Sequence, residues 1–162
     1  MAEPFAEDPK LQQIAQAYAQ DAVDFARQHA NLPLDWSDAS VAHIETILTN
    51  LYEQIASVKP SDEQVAQFGK LFGSYVGEVF RRNHGASWGL VTLEGQSFPG
   101  LKTAGSAQLF WPWGRVQNRL RNGPGDNVWH YYALLLSKER VAPPSAPPQT
   151  KRATWWQKLR GQ

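Results

Sequence analysis

Cysteine is missing altogether from the 162 residues of this chain. That absence excludes a disulfide scaffold, thiolate zinc sites, iron–sulfur ligation and thiol catalysis, though it says little about compartment. Cohesion therefore has to come from packing, and a chain of this length can bury roughly two-thirds of the surface its unfolded form exposes. Long apolar runs are missing too. No stretch approaches the roughly 20 residues of a membrane span, and the opening Met1-Ala2-Glu3-Pro4 lacks the basic and apolar parts of a secretory signal, so the sequence reads as cytoplasmic. Familiar catalytic patterns are equally scarce. Gly105-Ser106 lacks the second glycine of a Gly-x-Ser-x-Gly elbow. His29, His43, His84 and His130 lie far apart, none in the paired spacing of a zinc hydrolase, so no metal and no cofactor is expected. Glu78, Glu94 and Asp126 stand alone in the sequence and read as solvated or capping carboxylates.

What is present begins with an uneven charge. The chain carries +1 overall, but Met1–Leu93 holds 6 Lys and Arg against 12 Asp and Glu, and Glu94–Gln162 holds 10 against 3. Such a split can steer a charged partner or draw two faces of one domain together, and solvated surface charge alone accounts for it as well.

The first half is helical by pattern. Asp8-Pro9 has the form of an N-cap and first helical residue, and Leu11, Ile14, Ala15, Tyr18, Ala22 and Phe25 recur at spacings of three and four, which predicts a helix to about His29. After Pro33, the candidate caps Ser37, Asp38 and Ser40 precede the stripe Val41, Ile44, Leu48, Leu51, Tyr52, Ile55, closed by Pro60. Ser61 and Gln64 have capping-box spacing. The wide apolar face that follows, with Phe68, Phe72, Val76, Val79 and Phe80 expected inside, ends at Gly85, a candidate C-terminal cap, and predicts the central helix. Gly69, Gly73 and Gly77 fall every four residues within it and predict the close approach of another element rather than a phosphate loop.

Beyond Gly85 the pattern changes. Trp88–Leu93, Ser97–Leu101 and Gln108–Trp111 read as short strands of a two- or three-stranded antiparallel sheet. Pro112 suits a helix start, Asn122-Gly123-Pro124-Gly125 breaks that helix, and Asp126 is the expected cap of a last helix carrying Val128, Trp129, Tyr132, Leu135 and Leu136. The expected organisation is a helix-rich α+β domain over residues 9–140, after a flexible N-terminus at 1–8. A proline-rich linker at 141–150, with four prolines between Ala142 and Pro148, then leads to a basic, tryptophan-rich tail at 151–162.

Two clusters are candidates for binding. Trp111, Trp113, Arg115 and Arg119, with Arg121 nearby, combine aromatic rings with guanidinium groups, which suits an acidic peptide, a phosphate or a single strand of nucleic acid; a tryptophan packed in the core beside solvated arginines explains the same residues. The low overall charge makes nucleic acid the weakest of these. Arg81 and Arg82 complement the dipole at the C-terminal end of the central helix, beside Glu78 and His84. In the tail, Trp155, Trp156 and Leu159 share one side of about two helical turns, flanked by Lys158 and Arg160. That pattern suits weak peripheral contact with an anionic inner membrane, docking on a protein, or a tail with no partner.

The succession Leu34-Asp35-Trp36-Ser37-Asp38-Ala39-Ser40-Val41, Phe72-Gly73-Ser74-Tyr75-Val76-Gly77-Glu78-Val79 and Gly85-Ala86-Ser87-Trp88, followed by Pro112–Gly123 and Val128-Trp129-His130-Tyr131-Tyr132, resembles a broad group of small bacterial domains of unknown function. The resemblance spans roughly Pro9 to Lys138. It implies an α+β domain, carries no catalytic residue, and some of the relatives sit beside secreted toxins. The sequence thus favours a non-enzymatic protein-binding module, immunity-like or adaptor, whose partner is another protein. The alternative is an enzyme whose site is assembled from Glu78, His84 and His130.

Overall fold

A computed structural model describes residues 4–141 as five α-helices around one small sheet. α1 (Pro9–Phe25) starts where Asp8 accepts from the backbone N–H groups of Lys10 and Leu11, and runs on through a π-helical turn, Ala26–Ala30, so the helical stretch reaches the expected end. A 3₁₀ turn at Asp38–Ser40, capped by Ser37, leads into α2 (Val41–Val58). α3 (Asp62–His84) opens with the reciprocal Ser61–Gln64 capping box and stops at Gly85, whose φ of 88° is open to glycine at little cost. The five side chains expected inside α3 are all buried.

The chain then forms β2 (Ala86–Leu93), β3 (Gln96–Thr103) and β4 (Leu109–Phe110), followed by α4 (Pro112–Asn122) and α5 (Val128–Lys138). The sheet has four strands rather than two or three, because Phe5–Glu7 pairs antiparallel with Val91–Gly89 as the edge strand β1, in the order β1-β2-β3-β4. Residues 5–7 are therefore part of the domain and not a flexible lead-in. Three residues are too few to show a period of two, and only their partner strand identifies them. The cap of α5 is also corrected: Asn127, not Asp126, accepts from the His130 backbone N–H.

α3 is the hub. α1 and α4 pack on it, and the sheet lies across its C-terminal half. The glycine spacing explains how. A Cβ on Gly73 would stand 2.7 Å from the backbone of Pro112 and Trp113, and one on Gly77 would stand 2.4 Å from the Trp88 ring. The start of α4 and the buried indole of β2 thus rest directly on the α3 backbone, which sets where the aromatic residues around Pro112 emerge.

Candidate functional site

Trp111, Trp113 and Arg115 line a cleft of about 510 Å³ between the β2–β3 hairpin and α4; Leu93, Phe98 and Tyr131 complete its apolar wall. A smaller cleft of about 180 Å³ shares Trp111, Arg115 and Tyr131 and continues along α5 past Leu134 to Lys138. Together they form one trough from the hairpin tip to the last turn of α5. Its rings are held in place. The Trp113 indole N–H donates to Ser74 Oγ at 2.7 Å, and the Trp113 ring meets Tyr18 edge-on and packs beside Trp88. The Arg115 guanidinium lies 4.3 Å from the Tyr131 ring centre and bonds Asp126 at 3.2 Å. Burial pushes the Tyr131 phenol up, against the opposing pull of Arg115. Trp111 carries an indole N–H that is sealed from water and has no acceptor.

Five large apolar side chains among the described residues are exposed, and three of them, Leu93 at 46%, Phe98 at 40% and Leu134 at 55%, border this trough. Apolar side chains exposed in a cluster are what interaction surfaces present, whereas scattered single ones are ordinary.

The fourth member of the predicted cluster departs from it. Arg119 is 1% exposed and turns inward, where its guanidinium meets both Glu45 oxygens at 2.9 and 3.1 Å and Thr49 Oγ1 at 2.8 Å. Glu45 also accepts from the Val128 backbone N–H at 2.8 Å, tying α2 to α4 and to the first residue of α5. This arginine belongs to the core and presents nothing to a ligand. Arg121 is on the surface, paired with Asp62 at 3.0 Å.

Glu78 is likewise inside rather than solvated. Its carboxylate is fully buried and accepts from Arg81 Nε at 2.6 Å, Arg81 Nη2 at 3.0 Å and Trp88 Nε1 at 3.0 Å, with Arg82 Nε at 3.5 Å. Arg81 and Arg82 therefore neutralise a buried charge, in addition to any service to the helix dipole. Hydrogen bonding to Glu78 raises the Arg81 guanidinium further above its ordinary value. His84 is in a different cluster: its Nε2 stands 2.8 Å from Asp38 Oδ2, and Tyr132 donates to Asp38 Oδ1 at 2.5 Å. Burial first, then the bond to Asp38, drives the Tyr132 phenol far above its ordinary range. Tyr75, bonded to Ser40 Oγ and to the Trp36 backbone N–H, is pushed up to about 12 by burial. His130 is exposed in the first turn of α5. No hydrogen bond or ion pair joins Glu78, His84 and His130 to one another among the described residues.

Sequence reasoning missed Glu139, which closes the Thr103–Gln108 turn. It accepts from Thr103 Oγ1, from Ser106 Oγ at 2.6 Å and from the Ser106 backbone N–H at 3.0 Å. Burial pushes its carboxyl up, but these bonds prevail and hold it below the usual carboxylate range. It also missed Leu134, whose place beside Leu135 and Leu136 gave no sign that it faces outward. Trp155, Trp156, Lys158, Leu159 and Arg160 lie outside the described residues. No described helix is long and apolar enough to cross a membrane, and no cluster of His, Asp and Glu among the described residues has the form of a metal site. Comparison with family models, with curated proteins and with solved structures finds no match to this chain.

Proposed function

We propose that this chain is a non-enzymatic protein-binding module whose recognition surface is the trough between the β2–β3 hairpin, α4 and α5. The observation that carries the reading is the clustering of exposed Leu93, Phe98 and Leu134 around fixed aromatic rings. Aromatic anchors beside an arginine are the composition of energetically dominant contacts in protein interfaces, and pre-positioned rings lose little freedom on binding. The buried carboxylates support the same view from the other side, since Glu45 and Glu78 are each occupied by arginine and backbone or indole donors. An enzyme built on Glu78, His84 and His130 would need the three to converge on one substrate.

The partner class is a protein segment with apolar or aromatic side chains. An immunity or adaptor role follows the resemblance to domains encoded beside toxins, and the basic tail would add weak attachment to a membrane or to the partner. A photo-crosslinking residue at Leu134 in the full chain, expressed in its native cells, tests the trough. The expected result is one enriched partner that is lost with Phe98→Glu and is not captured from Ala17 on α1. Identical capture from both positions would overturn the reading. For the immunity role, deleting the gene should sensitise cells to a toxin encoded beside it, and unchanged survival would leave only the adaptor role.

A further inference from the structure

We infer that the trough is occupied within the same molecule by the proline-rich segment Ala142–Pro148, which a protein partner must displace. This rests on reading the trough as a peptide-binding surface.

The argument starts where the described chain ends. α5 closes in a Schellman turn: Arg140 takes a left-handed φ of 62°, its N–H bonds the Ser137 carbonyl at 3.0 Å, and the Val141 N–H bonds the Leu136 carbonyl at 2.8 Å. Val141 is packed against the core. The exit of the chain is thus fixed, and it lies three residues beyond Lys138, which lines the α5 end of the trough. The next seven residues in sequence, Ala-Pro-Pro-Ser-Ala-Pro-Pro, follow Val141 directly.

Their chemistry matches it. A polyproline II helix has three residues per turn and about 3.1 Å rise, so Pro144 and Pro147 fall on one side, and seven residues span about 22 Å. Aromatic-lined grooves bind this helix because proline rings stack on the rings and the preformed backbone has little entropy to lose. Its carbonyls have no partners within the helix, and the trough offers Arg115, Gln117 and Asn118 as donors. Charge selects the same seven residues. The trough carries Arg115 and Lys138, which repel the segment Lys151–Arg160 with its 4 Lys and Arg and no acid, whereas Ala142–Pro148 is uncharged. Direct attachment gives an effective concentration in the millimolar range, so even a weak contact closes the trough.

The probe is a fluorescent peptide of the sequence Val141–Gln149 added to the full chain. Wild type should bind it at least 10-fold more weakly than a full-length variant carrying Pro143→Ser, Pro144→Ser, Pro147→Ser and Pro148→Ser, because the apparent affinity falls with the fraction of open trough. Adding Leu134→Glu to that variant should abolish the gain. A photo-crosslinker at Ser145 should react with α4 or α5 of its own chain at every dilution. Equal peptide affinity for wild type and variant, absence of binding to both, or crosslinks that form only between molecules would each overturn the inference. A partner still captured from Leu134 in cells would then leave the binding function standing, whereas loss of that capture as well would remove both.

Discussion

Two arginines one helical turn apart on α4 have opposite fates. Arg115 lies at the trough with 31% of its side chain exposed, stacked on Tyr131, and Arg119 is sealed in the core against Glu45. Spacing of four puts both on one side of an isolated helix. In the fold, α2 brings a carboxylate over the second, whereas Tyr131 and Asp126, on and just before α5, flank the first at the surface. The difference shows that buried charge here is structural, with Arg119 held by Glu45 and Thr49 while its Nη1 has no partner, whereas the uncovered feature is apolar.

The largest expected effect breaks the buried side of that comparison. Arg119→Ala would leave the Glu45 carboxylate inside without its cation and should cost about 3–5 kcal/mol of stability in urea unfolding. Arg115→Ala removes a partly exposed pair with Asp126 and should cost no more than about 1 kcal/mol. Comparable losses would erase the distinction. Replacing Glu45 and Arg119 together by apolar residues should recover most of the loss, yet leave the Val128 backbone N–H without its acceptor, a residual of about 1–3 kcal/mol.

A middle-sized effect sharpens the packing that places the trough. Gly73→Ala forces the start of α4 off α3 and should destabilise by about 1–3 kcal/mol while loosening the Trp113–Ser74 contact. Leu134→Ser, on the open side, should change stability by no more than about 0.5 kcal/mol. Thermal unfolding of both variants, with near-ultraviolet circular dichroism reporting Trp113, checks the pair; a larger loss from Leu134→Ser would mean that this side chain belongs to the core and not to the trough.

The smallest effect concerns His43, whose burial pushes its imidazole below the ordinary 6.5, partly offset by Asp35. Its Nδ1 is buried without a partner. Because the unfolded chain takes up this proton more readily than the folded one, stability should fall as pH drops through 6.5 toward the lowered value and then level off. His43→Asn should flatten that step. The carboxyls of Asp35 and Glu139, held below their ordinary 3.8 and 4.5, lose their contributions only at more acid pH, so the two windows separate.

The sequence by itself determined the helices, because each carries its own signals within a few residues: the Asp8-Pro9 start, the Ser61–Gln64 box, the apolar stripe of α3 and the Gly85 stop. It also placed Trp111, Trp113 and Arg115 in one candidate site, since aromatic rings and a cation crowd one short stretch around Pro112. Only the tertiary structure decided what those local signals cannot encode. Phe5–Glu7 becomes a strand because β2 offers an edge, and Glu78 is inside because Trp88 and two arginines converge on it. Arg119 turns inward because Glu45, 74 positions earlier, waits on α2. Leu134, Phe98 and Leu93 form one open surface because the hairpin and α5 reach the same side of α4. Burial and charge pairing are properties of neighbours brought together by the chain's return, and no window of adjacent residues contains them.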